Sequence, residues 1–306
     1  MTMTLFPMPR NERLAGTIAD RAGFSVGKLE LRRFPDGESY VRLHSLVAGC
    51  AVAVVCTLAR ADEQFLQLLF TARLLRENGA RSIQLVAPYL AYMRQDRRFQ
   101  DGEALTSRQF AQLISCEFDG LITVDPHLHR YRALQEIYSI ETESLAASPL
   151  LAEWVRDNVE RPLIIGPDSE SEQWAGAIAT HIGAPHAVFT KLRRGDRDVL
   201  IAASDLTVWR ERTPILVDDV ISSGQTLAHA AREITAQGFP APICLAVHGL
   251  FAPGAEELLK AIGCRIVTTD SIAHPSNAVA LGPLLGQALV RQLTVVDAKR
   301  LRRTPK

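Results

Sequence analysis

Short apolar runs rich in β-branched residues alternate with amphipathic stretches along nearly the whole 306-residue chain, and this alternation limits the fold more than any other feature. The apolar runs at 29–34, 39–43, 51–57, 82–87 and 120–124 read as strands. So do those at 162–165, 186–189, 199–202, 214–217, 243–247 and 264–268. Between them, 63–77, 106–116, 170–182, 226–237 and 254–262 carry apolar residues at three- and four-residue spacing, which predicts helices. Gly79, Gly183, Gly238 and Gly263 fall just past helical patterns, where a left-handed residue ends a helix. Strand and helix in turn dictate an α/β fold with mostly parallel sheets flanked by helices.

A chain of this length predicts two domains. The loop-like stretch that begins at Asp125-Pro126-His127, and the change of composition at Ser148-Pro149, divide it into 1–146 and 147–306. Each half repeats βα units in similar order, as an internal duplication would leave them. Acidic and basic residues number 34 each, so net charge offers nothing to nucleic acid or to an acidic membrane surface. No apolar run reaches the roughly 20 residues of a membrane helix. The N-terminus lacks the pattern of a secretion signal. The five cysteines, odd in number and without a CxxC, read as buried free thiols of a reducing compartment. A cytoplasmic protein is expected.

One stretch breaks the ordinary pattern. In ILVDDVISSGQTL, residues 215–227, an apolar strand runs into Asp218 and Asp219, then into Ser222-Ser223-Gly224-Gln225-Thr226, and a helix opens at about Thr226. A bland reading makes Ser222 or Ser223 the N-cap of that helix. The functional reading gives the carboxylates to sugar hydroxyls and the loop N–H groups, with the helix N-terminus, to a phosphate. The arrangement resembles the phosphoribosyl-pyrophosphate loop shared by type I phosphoribosyltransferases and ribose-phosphate pyrophosphokinases.

Further segments are similar to the pyrophosphokinases alone. Arg33-Phe34-Pro35-Asp36-Gly37-Glu38 resembles the loop with which that family grips adenine. Pro88-Tyr89-Leu90-Ala91-Tyr92-Met93-Arg94-Gln95-Asp96-Arg97 resembles its Pro-Tyr-x-x-Tyr-x-Arg-Gln-Asp-Arg signature. Val124-Asp125-Pro126-His127 resembles its metal loop, Ile165-Gly166-Pro167-Asp168 the opening of its second domain, and Lys191-Leu192-Arg193-Arg194 its mobile Lys-x-Arg loop. The resemblance implies two phosphoribosyltransferase-like domains and transfer of the β,γ-diphosphoryl group of ATP to ribose 5-phosphate. It implies Phe34, Asp36, Glu38, Arg94, Gln95 and Asp96 for ATP, and Asp218, Asp219, Ser222, Ser223, Gly224, Gln225 and Thr226 for ribose 5-phosphate. His127 and Asp168 would hold Mg²⁺, and Lys191 and Arg193 would act on the transferring group. It also implies a homo-oligomer, dimer or larger, in which the hairpin that carries Phe34 completes a neighbour's adenine site.

Physical reasons accompany these assignments. A triphosphate in transfer calls for a divalent cation and positive side chains. Phe34 can stack on a purine, and the alternation of Phe34, Asp36 and Glu38 would put them on one face of an extended segment. Asp36-Gly37 also suits a turn between two strands. The chain departs from the family pattern at Ser169-Glu170-Ser171 and at Gln225, where glycines are usual, and its Ser222-Ser223 resembles archaeal-type variants. Two alternatives stand beside this reading: a phosphoribosyltransferase that consumes the product, and a non-catalytic regulatory homologue.

Overall fold

The first strand, β1 (Met3–Pro7), is buried along most of its length because it becomes an inner strand of a six-stranded sheet. The computed structural model describes residues 2–128, 130–193, 199–202 and 206–301, with side chains given for 2–128, 130–189 and 206–293. The chain divides into two compact units, Met1–Leu145 with Leu281–Lys306, and Ala146–Ala280.

In the first unit, β1 leads through α1 (Glu12–Ala22) to β2 (Ser25–Val26), and then to an antiparallel hairpin of β3 (Leu29–Arg33) and β4 (Ser39–Leu43). Next come β5 (Ala51–Val55), α2 (Ala61–Glu77), β6 (Ser82–Ala87), α3 (Thr106–Glu117), β7 (Gly120–Val124) and β8 (Glu141–Leu145). The sheet order is β2-β1-β5-β6-β7-β8, with every pairing parallel. Every residue of β5, β6 and β7 is buried, as expected of parallel strands covered on both faces. On one face Val52, Val54, Ile83 and Leu85 form a core with Leu68, Ala72 and Leu75 of α2 and Phe110, Ala111 and Ile114 of α3.

The second unit begins with α4 (Ser148–Asn158), followed by β9 (Pro162–Gly166), α5 (Glu172–Ile182) and β10 (His186–Val188). A second antiparallel hairpin joins β11 (Thr190–Arg193) to β12 (Val199–Ala202). Then follow β13 (Thr213–Ile221), α6 (Gln225–Ala236), β14 (Ile243–Gly249), α7 (Ala255–Ala261), β15 (Arg265–Thr269) and β16 (Asn277–Val279). The sheet order is β10-β9-β13-β14-β15-β16, again parallel throughout. The two units therefore share one topology. In each, the antiparallel hairpin is inserted between the second and third strands of the sheet, which accords with the duplicated βα order read from the sequence.

The last helix, α8 (Gly282–Leu301), packs on α1 of the first unit. A Cβ on Gly282 would fall 2.3 Å from Thr17 Cγ2, so the two helices meet where one of them has no side chain. The stretch from Leu281 thus lies with the first unit, whereas the sequence division carried it with 147–306. Ser148-Pro149, where the composition changes, opens α4 with proline in the first turn, where its missing N–H is harmless. The thiols also differ from expectation. Cys56, Cys244 and Cys264 are buried, but Cys116 is exposed at the end of α3. Burial pushes the Cys56 thiol up to about 12. Among the described residues no helix is long and apolar enough to cross a membrane.

Candidate active site

In the second unit the candidate residues collect at the C-terminal ends of adjacent parallel strands, where open α/β sheets bind ligands. β13 does not stop before the acidic pair. It runs on to Ile221, and Asp218 still pairs in register with Ala246 of β14. The adjacent carboxylates therefore alternate across the strand. Asp219 is buried, and its N–H donates to Asp218 Oδ1 at 3.0 Å. Burial raises Asp218 well above the usual carboxylate range, and the charges of Asp219 and Asp168 add to the effect. Asp168, expected as a metal ligand, and Asp218 and Asp219, expected for the ribose hydroxyls, thus lie in one unit, close enough for their charges to act on Asp218.

Asp168 follows β9 and caps a short 3₁₀ turn. Its Oδ1 accepts from the N–H groups of Glu170 at 3.1 Å and Ser171 at 3.3 Å, while Ser171 Oγ donates to Asp168 O at 2.6 Å. Within the departure Ser169-Glu170-Ser171, Ser171 therefore has a local job: its Oγ accepts from the Asp168 N–H and closes a reciprocal capping box.

Past Ile221, the bland reading of Ser222 or Ser223 as helix cap is not what forms. Gly224 holds the N-cap position with φ 72°, no side chain caps α6, and the helix starts at Gln225 rather than Thr226. The N-terminal N–H groups of α6 are thus left for solvent or an anion. A Cβ on Gly224 would sit 3.3 Å from Ala255 O, so both conformation and space call for glycine there. The loop is braced by its neighbour, because the N–H groups of Leu250 and Phe251 donate to Ile221 O and that of Ala252 to Ser222 O.

In the first unit, Phe34–Glu38 is the tip of the β3–β4 hairpin. Gly37 N–H donates to Phe34 O at 2.9 Å, and Phe34 N–H donates to Glu38 O at 2.8 Å. Gly37 is left-handed at φ 93° while Asp36 is not, which makes a type I turn with a glycine bulge. The turn reading of Asp36-Gly37 is the one that holds. The extended-segment alternation of Phe34, Asp36 and Glu38 is not, since a closed turn does not point alternate residues one way. All three are exposed. Phe34 meets Tyr40 edge-on at 5.9 Å, and the Arg32 guanidinium lies 4.7 Å from the centre of the Phe34 ring and 3.9 Å from that of Tyr40.

Arg94, Gln95 and Asp96 lie on the long loop after β6, and His127 lies on the loop after β7. Because β6 and β7 are adjacent and parallel, both loops leave the sheet on the same side. Arg94 is exposed and His127 half-buried. Gln95 Oε1 accepts from Thr106 Oγ1 at 3.0 Å, and Asp96 Oδ1 accepts from Arg130 Nε at 3.2 Å. The side chains of Lys191 and Arg193 lie outside the described residues; their backbone belongs to β11.

Residues 3–116 match the family model described as the N-terminal domain of ribose phosphate pyrophosphokinase, and residues 134–283 match that of the phosphoribosyl transferase domain. The chain is 32% identical to the ribose-phosphate pyrophosphokinase of Methanopyrus kandleri over 90% of its own length and 95% of that relative. The chain belongs to the ribose-phosphate pyrophosphokinase family. Another pyrophosphokinase relative, from Sulfurisphaera tokodaii, is 34% identical over 83% of this chain and 88% of its own. A crystal structure of phosphoribosylpyrophosphate synthetase from Mycobacterium smegmatis has the same fold, with TM-score 0.83 and 24% identity, covering 96% of this chain and 99% of that one.

Sequence reasoning passed over several polar residues that lie beside these candidates. His248, at the end of β14, is buried, with Nδ1 2.9 Å from Ser271 Oγ, which in turn donates to Val247 O at 3.0 Å. Its position at a strand's C-terminal end, one strand from the acidic pair, was a usable signal. Arg130 and Tyr131 had none, since a basic loop residue and an aromatic give no periodic pattern.

Proposed function

We propose that this pyrophosphokinase transfers the β,γ-diphosphoryl group of ATP to the anomeric hydroxyl of ribose 5-phosphate, giving 5-phosphoribosyl 1-pyrophosphate and AMP. The observation that carries the reading most is a strand bearing Asp218 and Asp219 that runs, through a short loop, into an uncapped helix N-terminus at Gly224. The match of residues 3–116 to the pyrophosphokinase N-terminal domain favours this over a phosphoribosyltransferase that consumes the product.

The anomeric oxygen bonds to the β-phosphorus, the bridge from α to β breaks at the β-phosphorus, and AMP leaves with the bridging oxygen. The hydroxyl proton passes to solvent. Asp218 and Asp219 accept hydrogen bonds from the ribose hydroxyls. The 5-phosphate lies in the loop Ser222, Ser223, Gly224, Gln225 and Thr226, where N–H groups and the α6 dipole favour an anion. Arg94 and Gln95 hold the nucleotide, Phe34 stacks on the adenine with Asp36 and Glu38 near its amine, and Lys191 and Arg193 stabilise charge on the moving group.

Mg²⁺, on which the family generally relies, fits the donor chemistry. The mutual charge of Asp168, Asp218 and Asp219 is what a cation would relieve. Among the described residues no three His, Cys, Asp or Glu side chains converge as a metal cage. Mg²⁺ is commonly held through one or two carboxylates and substrate oxygens. Asp168 and His127 are the assigned protein ligands. Bound Mg²⁺ would neutralise triphosphate charge and orient it.

Homo-oligomerisation through the exposed Phe34 hairpin belongs to the same proposal. Light scattering at assay concentration tests it, and a fully active monomer would remove it. The activity is tested by following AMP formed from ATP with and without ribose 5-phosphate. AMP formation that depends on the sugar phosphate supports the reading, and its absence overturns it.

A further inference from the structure

We propose that the Asp96–Arg130 pair is a positioning device that locks the two loops after β6 and β7 together and so fixes Arg94 for the nucleotide. The inference rests on the ATP site proposed above, and it gives Asp96 a different task from contact with ATP. The Asp96 side chain is only 6% exposed, whereas that of Arg130 is 48% exposed. A carboxylate so far withdrawn from water needs a cationic partner, and Arg130 supplies it at 3.2 Å. An anionic group spent in this way is poorly suited to bind a polyanionic triphosphate.

The lock has further parts. Tyr131, next to Arg130, is buried, and its hydroxyl lies 3.0 Å from Ser107 Oγ at the start of α3 and 3.4 Å from Asp96 O. Ser107 N–H donates to Gln95 O at 3.4 Å, and Gln95 Oε1 accepts from Thr106. Upstream, Tyr92 holds a left-handed φ of 63°, its ring lies 4.7 Å from Phe110, and its hydroxyl donates to Asp62. Arg94 is therefore an exposed side chain on a backbone pinned on both sides, by Tyr92 and by Gln95-Asp96. Preorganisation of this kind gives a long side chain a defined place without the ligand. Because Arg130 belongs to the loop that also carries His127, the same pair sets the two segments relative to each other.

The test compares Arg130→Gln, Asp96→Asn and the double variant. Each single variant should raise the KM for ATP about tenfold and leave the KM for ribose 5-phosphate nearly unchanged. In the double variant an Asn–Gln hydrogen bond can replace the ion pair, so ATP affinity should recover. Wild-type KM for ATP in Arg130→Gln, or losses that simply add in the double variant, would overturn the proposal and return Asp96 to direct contact. Arg130 is half exposed, so its variant reads the pair even where Asp96→Asn does not fold. Equilibrium binding of ATP gives the same reading without turnover. A parent protein that binds ATP yet forms no AMP would sink the proposed function and leave this inference standing.

Discussion

The N–H of Asp219 donates to the carboxylate of its own neighbour, Asp218, at 3.0 Å, inside a strand that continues to Ile221. That bond favours the charged form of Asp218, yet burial and the charges of Asp219 and Asp168 outweigh it and raise its titration above the usual carboxylate range. The folded chain keeps this proton to higher pH than the unfolded chain, whose aspartate titrates near 3.8. As pH rises above that value the unfolded state ionises first, so stability falls until the folded-state group has ionised as well. In the absence of divalent cations, Asp218→Asn should remove this slope and leave the protein more stable near neutral pH. Urea unfolding between pH 4 and 8 measures it, and a variant no more stable than its parent at neutrality would refute the assignment.

Asp219→Asn addresses function rather than stability. Its carboxylate is placed for the ribose hydroxyls, and charge-assisted hydrogen bonds are worth enough to raise the KM for ribose 5-phosphate roughly ten- to a hundredfold. The KM for ATP should move much less. Equal changes for both substrates would mean that the pocket is wrongly assigned.

Phe34 is 39% exposed, and its ring contacts are with Tyr40 and Arg32 on the same hairpin. Phe34→Ala should therefore leave the fold intact while weakening ATP, because one base stacked on one ring contributes about 1–3 kcal/mol. Circular dichroism and the KM for ATP, taken together, check both halves. A folded variant with unchanged ATP affinity would detach the hairpin from the adenine.

Gly224→Ala should destabilise the second unit by about 1–2 kcal/mol through its left-handed backbone alone. The added methyl also meets Ala255 O at 3.3 Å, so the phosphate loop must shift. Unfolding by urea reads the first effect, and a raised KM for ribose 5-phosphate reads the second. Ala tolerated without either change would mean that the loop is less constrained than its geometry indicates.

Periodicity made much of this molecule legible from sequence, because buried parallel strands and amphipathic helices each follow a fixed period. The glycines expected to end helices are borne out: Gly79, Gly183, Gly238 and Gly263 all have positive φ. What escaped had physical reasons. β8 is too polar in Glu141–Leu145 to announce itself, and β1, Met3–Pro7, holds a single β-branched residue and ends on proline. α8 shows no clear apolar stripe, so neither the helix nor its place on α1 could be read. Strand pairing hid the true end of β13, since a hydrogen-bonded neighbour can carry two carboxylates in a strand that local propensity would break. Loop-to-loop contacts such as Arg130 with Asp96 join residues far apart in sequence and leave no local trace. The chemistry-bearing residues were legible chiefly through family resemblance, and local folding then explained why several sit where they do.

Lys191 is the cation placed on the group in transfer. It belongs to β11, paired antiparallel with β12 so that Lys191 lies opposite Ile201 and Arg193 opposite Val199. Lys191 and Arg193 are alternate positions on β11, and their side chains lie outside the described residues. Two cations two residues apart in the chain fit the proposed role on a single anionic group. A charge used mainly in the transition state affects turnover rather than ground-state binding. Loss of one preorganised charge of this kind lowers rate by about 10²- to 10³-fold. Lys191→Ala should therefore reduce kcat at least about a hundredfold with little change in the KM for ATP, and Arg193→Ala should behave alike. Arg197→Ala, at a position outside the described residues, should be mild. Steady-state kinetics on the three variants decides the matter, and near-normal turnover without Lys191 would strip the mechanism of its central cation.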